Sequence, residues 1–145
     1  APVLQSRFNL NHVSASPAGG WLAYDSDESG GRPEVYLQSY PDVGRDRHQV
    51  STKGGSEPRW TRGGRELVYR TDDSLFAVTV DPTTGETGRP TALFAFPYHP
   101  EGWSWTYDAA ADGSRFLMVK VPPGSVPRRV EVVLNWFGEL KAKER

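Results

Sequence analysis

Residues 16–24 read Ser16-Pro17-Ala18-Gly19-Gly20-Trp21-Leu22-Ala23-Tyr24, a glycine turn running into an apolar strand. The pattern returns as Thr61-Arg62-Gly63-Gly64-Arg65-Glu66-Leu67-Val68-Tyr69 and again as Ala110-Ala111-Asp112-Gly113-Ser114-Arg115-Phe116-Leu117-Met118. Tyr24 and Tyr69 are 45 residues apart, and Tyr69 and Met118 are 49 apart. A period in the forties is the length of one four-stranded propeller blade. Each copy holds a glycine at the same place, Gly19, Gly64 and Gly113. Without a Cβ, such a residue takes a positive φ freely and closes a short hairpin.

The rest of each unit follows one order. Strand A ends near Ala15, Trp60 and Ala109. Strand B covers 21–25, 66–71 and 116–120, and strand C covers 35–40, 75–80 and about 130–136. Strand D covers 48–51 and 91–96, and residues 2–6 match 91–95 as a strand D with nothing in front of it. The predicted fold is therefore all-β: a single β-propeller segment of three four-stranded antiparallel blades, half of a six-bladed propeller. Residues 1–6 are the lone strand D, 7–52 the first blade and 53–99 the second. Residues 100–137 are a third blade lacking strand D, and 138–145 a charged tail with room for a short helix. Helical periodicity is nearly absent, and the short apolar runs are bounded by Gly, Pro, Asp or Ser. Fifteen Gly and 12 Pro supply the turns, while five Trp, six Tyr and six Phe supply area for short strands to bury.

Around these turns the chain resembles the TolB-type, WD40-like (PD40) propeller repeats. The residues that carry the likeness are Ser16-Pro17 with Gly19, Pro58-Arg59-Trp60 with Gly64, Asp112-Gly113, and Glu34-Val35-Tyr36. Glu57-Pro58-Arg59-Trp60 and the closing Val132-Val133-Leu134-Asn135-Trp136-Phe137 are similar to the C-terminal propellers of some bacterial serine/threonine protein kinases. The turn aspartate of that pattern survives only at Asp112, and the Gly-His and Trp-Asp pairs of ordinary WD40 repeats are missing. The resemblance implies a recognition scaffold and favours an extracytoplasmic, periplasmic setting over the cytoplasmic alternative.

Composition narrows the chemistry. With 17 Lys+Arg against 18 Asp+Glu the formal net charge is −1, which gives no footprint for nucleic acid. No apolar run approaches the roughly 20 residues a membrane helix needs, so no membrane insertion is expected. The absence of cysteine excludes disulfides, thiolate metal sites and a cysteine nucleophile. There is no Gly-x-Ser-x-Gly and no phosphate-binding glycine loop. The nearest stretch, Gly54-Gly55-Ser56-Glu57-Pro58, is expected to connect blades. No catalytic residue, cofactor or metal is predicted. His12, His48 and His99 lack metal-ligand spacing and are expected on the surface or in loops. Asp25, Asp27 and Glu28 are expected in a solvated B–C loop, with Asp72-Asp73 in the equivalent loop of the second unit.

Four residues are binding candidates. Trp103 and Trp105 alternate along a strand leading to Tyr107, which suits a packing seam or, on the sharper reading, a stacking surface. Arg59 and Arg62 belong to a basic stretch that is either solvated surface or a patch for an anion or acidic partner. The expected function is a non-catalytic module that binds a protein or peptide at one mouth of the ring or in its channel. Three wedges cannot surround an axis, so two copies are expected to form a homodimeric six-bladed ring, exchanging their first strands. The alternatives are a purely structural fragment of a longer propeller sensor domain, and a propeller-type hydrolase or lyase with an unrecognised site.

Overall fold

The computed structural model describes residues 3–95 and 105–119. These form an all-β structure built on four-stranded antiparallel sheets, with no α-helix among the described residues. Strands β1 (Leu10–Ala15), β2 (Trp21–Ser26), β3 (Glu34–Ser39) and β4 (Arg47–Gln49) make the first sheet in chain order. Strands β5 (Ser56–Thr61), β6 (Glu66–Arg70), β7 (Ser74–Thr79) and β8 (Thr91–Ala95) make the second. Strand β9 (Tyr107–Ala109) pairs with β10 (Phe116–Met118) in a further antiparallel pair. A single 3-10 turn, Arg62–Gly64, joins β5 to β6.

The first three strands of the first two units fall within a residue or so of their predicted ends. The strand predicted over 48–51 is displaced to Arg47–Gln49. Residues 3–6 form no strand in this chain. A strand persists only where a neighbouring edge accepts its backbone groups, and residues 3–6 pair with no described strand. The strand predicted over 130–136 and the charged tail lie outside the described residues.

Side-chain alternation explains how the sheets stack. Leu67 and Tyr69 of β6, with Val78 of β7, face Trp21, Ala23, Val35 and Leu37 of the first sheet. Val68, Leu75 and Ala77 point the other way and meet Tyr107, with Ala109, Phe116 and Met118 packed alongside. Both faces of the second sheet are thus covered, so the centre of β6, Leu67-Val68-Tyr69, is apolar at consecutive positions rather than alternating. Cross-strand aromatic pairs recur in the two sheets: Tyr24 stacks on Tyr36 at 5.9 Å and Tyr69 on Phe76 at 5.7 Å. Two indoles fasten the first seam. Trp60 Nε1 donates to the Ser14 carbonyl and Trp21 Nε1 to the Pro82 carbonyl, each at 3.1 Å. The turns stack as well. Gly64 has φ +88°, and a Cβ there would lie 2.6 Å from Ser16 Oγ and 2.9 Å from the Ala18 Cβ of the preceding turn.

Candidate functional site

The first strand of each four-stranded sheet carries a bulge, between Asn11 and Ser14 in β1 and between Ser56 and Arg59 in β5. At each bulge one non-glycine residue takes a left-handed backbone, His12 with φ 47° and Glu57 with φ 55°. These positions are one repeat apart, like Tyr24 and Tyr69. Left-handed backbone at ordinary residues costs about 1–3 kcal/mol each and persists only where surrounding contacts fix it. Here the contacts are buried and ionic.

His12 Nδ1 lies 2.6 Å from Asp25 Oδ2, and Arg70 Nη1 lies 3.4 Å from Glu57 Oε1. Both pairs join residues 13 apart, and the charges are reversed from one sheet to the next. Each seam is then crossed by a backbone N–H donated to a carboxylate of the preceding sheet. The Glu57 amide donates to Asp25 Oδ2 at 2.9 Å, and the Thr106 amide donates to Glu57 Oε2 at 2.6 Å. The Thr106 hydroxyl also donates to the Glu57 carboxylate at 2.8 Å and accepts from Arg70 Nη1 at 2.8 Å. The Tyr107 hydroxyl sits 2.8 Å and 2.9 Å from the carbonyls of Glu57 and Val68. Burial drives its pKa well above the usual phenol value. Asp25, Glu57, Arg70 and Thr106 are all buried.

An indole caps this network. The Trp105 ring lies 3.6 Å beneath the Arg59 guanidinium carbon, a cation–π contact, and 4.9 Å from the His12 ring, edge to face. Arg59 Nε stands 3.7 Å from Asp108 Oδ1, beyond hydrogen-bonding reach. The Asp25 hydrogen bond raises the His12 pKa above its ordinary 6.5, against the opposing effect of burial.

A cavity of about 310 Å³ opens beside the network, between the connector 53–56 and the loop 71–73. Arg32, Lys53, Ser56, Arg70, Asp73 and Phe76 line it. An adjoining, more apolar cavity of about 280 Å³ is walled by Val50, Tyr69, Phe76 and Pro90 and shares Lys53, Gly54 and Thr71 with the first. Glu34 fixes the connector by accepting from the Gly54 amide at 2.8 Å. Burial, and secondarily the Glu34 carboxylate, push the Tyr69 phenol up to about 12.

No protein-family model matches the chain, and no curated protein matches it.

Of the four binding candidates, the structure brings Arg59 and Trp105 together. Arg62 lies apart in the 3-10 turn, where its Nε donates to Glu66 Oε1 at 3.1 Å, and Trp103 falls outside the described residues. Three expectations are corrected. His12 is neither a surface nor a loop residue, because its place at a strand bulge turns the ring inward onto Asp25 and Trp105. His48 lies in β4 with its ring 5.4 Å from that of Trp21. Asp25 is not in a solvated loop: it is the penultimate residue of the buried strand β2, 1% exposed, and takes the His12 and Glu57 donors. Asp27 and Glu28 do follow the strand, bonded to Asn9 and to Arg47 respectively. His99 lies outside the described residues. Among the described residues, no three His, Asp or Glu are placed to share a metal ion.

Proposed function

We propose that the chain is a non-catalytic propeller-type module that binds a protein or peptide, with two copies completing a six-bladed ring. One observation carries the recognition part of this reading. The charged cavity and its apolar neighbour form a continuous trough across the seam of two sheets, walled by the connector of one and a hairpin loop of the other. Loops on a rigid stack of sheets are where recognition surfaces are usually built. A trough with cations at Arg32 and Lys53, acids at Asp72 and Asp73 and an apolar pocket at Phe76 suits an extended peptide carrying both charge and an apolar side chain. Packing geometry supports the ring: sheets packed face to face turn as wedges, and about four to eight of them close an axis.

Selection from a random peptide display library on the immobilised protein tests the recognition reading. Enriched peptides are expected to bind about tenfold or more weakly to Lys53→Glu, since the reversed charge both removes an attraction and adds a repulsion. A selection without enrichment contradicts the assignment, as do binders indifferent to both Lys53→Glu and Phe76→Ala.

A further inference from the structure

We propose that His12, Arg59 and Trp105 form a carboxylate-binding site, so that the ligand of this module presents either a chain-terminal or a side-chain carboxylate to the first strands of the sheets. The inference rests on the recognition reading above and names the chemistry of its ligand; it does not require a ring.

The argument is one of hydrogen-bonding capacity. The buried acids at this place are fully engaged: Asp25 by His12 and the Glu57 amide, Glu57 by Arg70 and Thr106. What lacks a hydrogen bond lies on the cationic side. Among the described residues, His12 Nε2 and Arg59 Nε are both buried without a hydrogen-bond partner, Asp108 standing 3.7 Å from Arg59 Nε as an ion pair only. Buried polar groups in folded proteins are nearly always paired, so two orphans beside one indole call for a partner beyond the described residues, a role a ligand carboxylate fits. Arg59 Nε is a donor at every accessible pH, and with the neighbouring Nη–H it presents the fork that a carboxylate fills with two parallel bonds. The Arg59 side chain keeps 28% of its surface exposed while Nε itself is buried, so a ligand meets the fork when the side chain shifts outward. Trp105 holds both cations, and its apolar face lowers the local dielectric, which strengthens a charge-assisted bond.

The same geometry makes binding depend on pH. With Nδ1–H directed at Asp25, His12 Nε2 carries a proton only in the imidazolium form, and only that form donates to an anion. The charged groups facing the imidazole are Asp25 from β2 and Glu57 and Arg59 from β5. The two acids favour the imidazolium and Arg59 opposes it, and the balance raises the His12 pKa above 6.5. Affinity is therefore full below that ordinary value and falls as pH rises through the raised one.

Nuclear magnetic resonance of the histidine ring protons tests this, because the chain has only three histidines and His12→Gln identifies the His12 signal. The probes are N-acetylglycine, standing for a chain-terminal carboxylate, and N-acetylaspartate amide, standing for a side-chain one. At least one probe is expected to move the His12 signal saturably and raise its titration midpoint, and the stronger of the two identifies the source. Arg59→Gln is expected to weaken binding about tenfold or more, as loss of a charge-assisted pair does, while Arg62→Gln leaves it unchanged. Should Arg59→Gln fail to fold, Arg59→Lys, which keeps the charge and removes the fork, is expected to bind more weakly than wild type. The proposal is overturned if neither probe moves the His12 signal of the wild-type protein, or if the response survives undiminished in the Arg59 variant.

Discussion

Gly85→Val is expected to lower stability by about 3 kcal/mol or more, with a drop in melting temperature of about 10 °C. Two effects combine. Gly85 has φ +72°, a backbone in which a β-branched residue is strained. A Cβ at this position would also fall 2.3–2.7 Å from three carbons of the Trp21 ring. That ring cannot easily retreat. Trp21 is 4% exposed, and its Nε1 is tied to the Pro82 carbonyl at 3.1 Å, so it is held by the loop that contains Gly85. The overlap therefore pushes the first and second sheets apart along the seam they share. Gly44→Val, also at positive φ (+98°) but with open space around it, separates the two effects, since it carries the backbone strain alone. Thermal unfolding followed by circular dichroism reads both variants; equal losses in the two would mean that the Trp21 contact is unimportant.

Glu57→Ala is expected to cost about 3–5 kcal/mol, the usual result of removing one partner from a buried ion pair. The loss is larger than for a surface pair because Arg70 is only 7% exposed and would lose the carboxylate it meets in the buried site. The Thr106 amide and hydroxyl lose their acceptor at the same time. Glu57→Gln retains an acceptor and is expected to lose less. The double variant Glu57→Ala, Arg70→Met is expected to be more stable than Glu57→Ala alone, because the buried cation that lost its Glu57 partner is gone as well. A double variant at least as unstable as the single one would show that shape, not charge, decides this position.

The two positions show what sequence reveals and what it hides. The repeat was legible because its markers are chemical and local. Turn glycines need a free φ, and the Tyr24 and Tyr69 positions need a wide ring at a fixed distance after the turn. Charged residues carry no such marker. Asp25, Glu57 and Arg70 look like solvated surface in a chain that is 24% charged, and only the strand register turns them inward. The bulges matter most, since an extra residue in β1 and β5 re-aims the side chains beside it. A signal was nonetheless present: His12 with Asp25 and Glu57 with Arg70 are opposite charges at equal spacing in consecutive repeats. Arg59 and Trp105 were legible one at a time, as a cation and an aromatic. That they meet across a seam depends on the stacking of one sheet on the next, which spacing along the chain does not encode.

The proposed ring closure by two copies would engage residues 3–6, which form no strand here, and the apolar side chains exposed on and just after β10, Leu117 at 76% and Val119 at 55%. Light scattering at low micromolar concentration measures it directly. The account predicts a particle of twice the 16.1 kDa chain mass, reduced to a single chain when residues 1–6 are deleted. A stable monomer of 16.1 kDa for the full chain would contradict it.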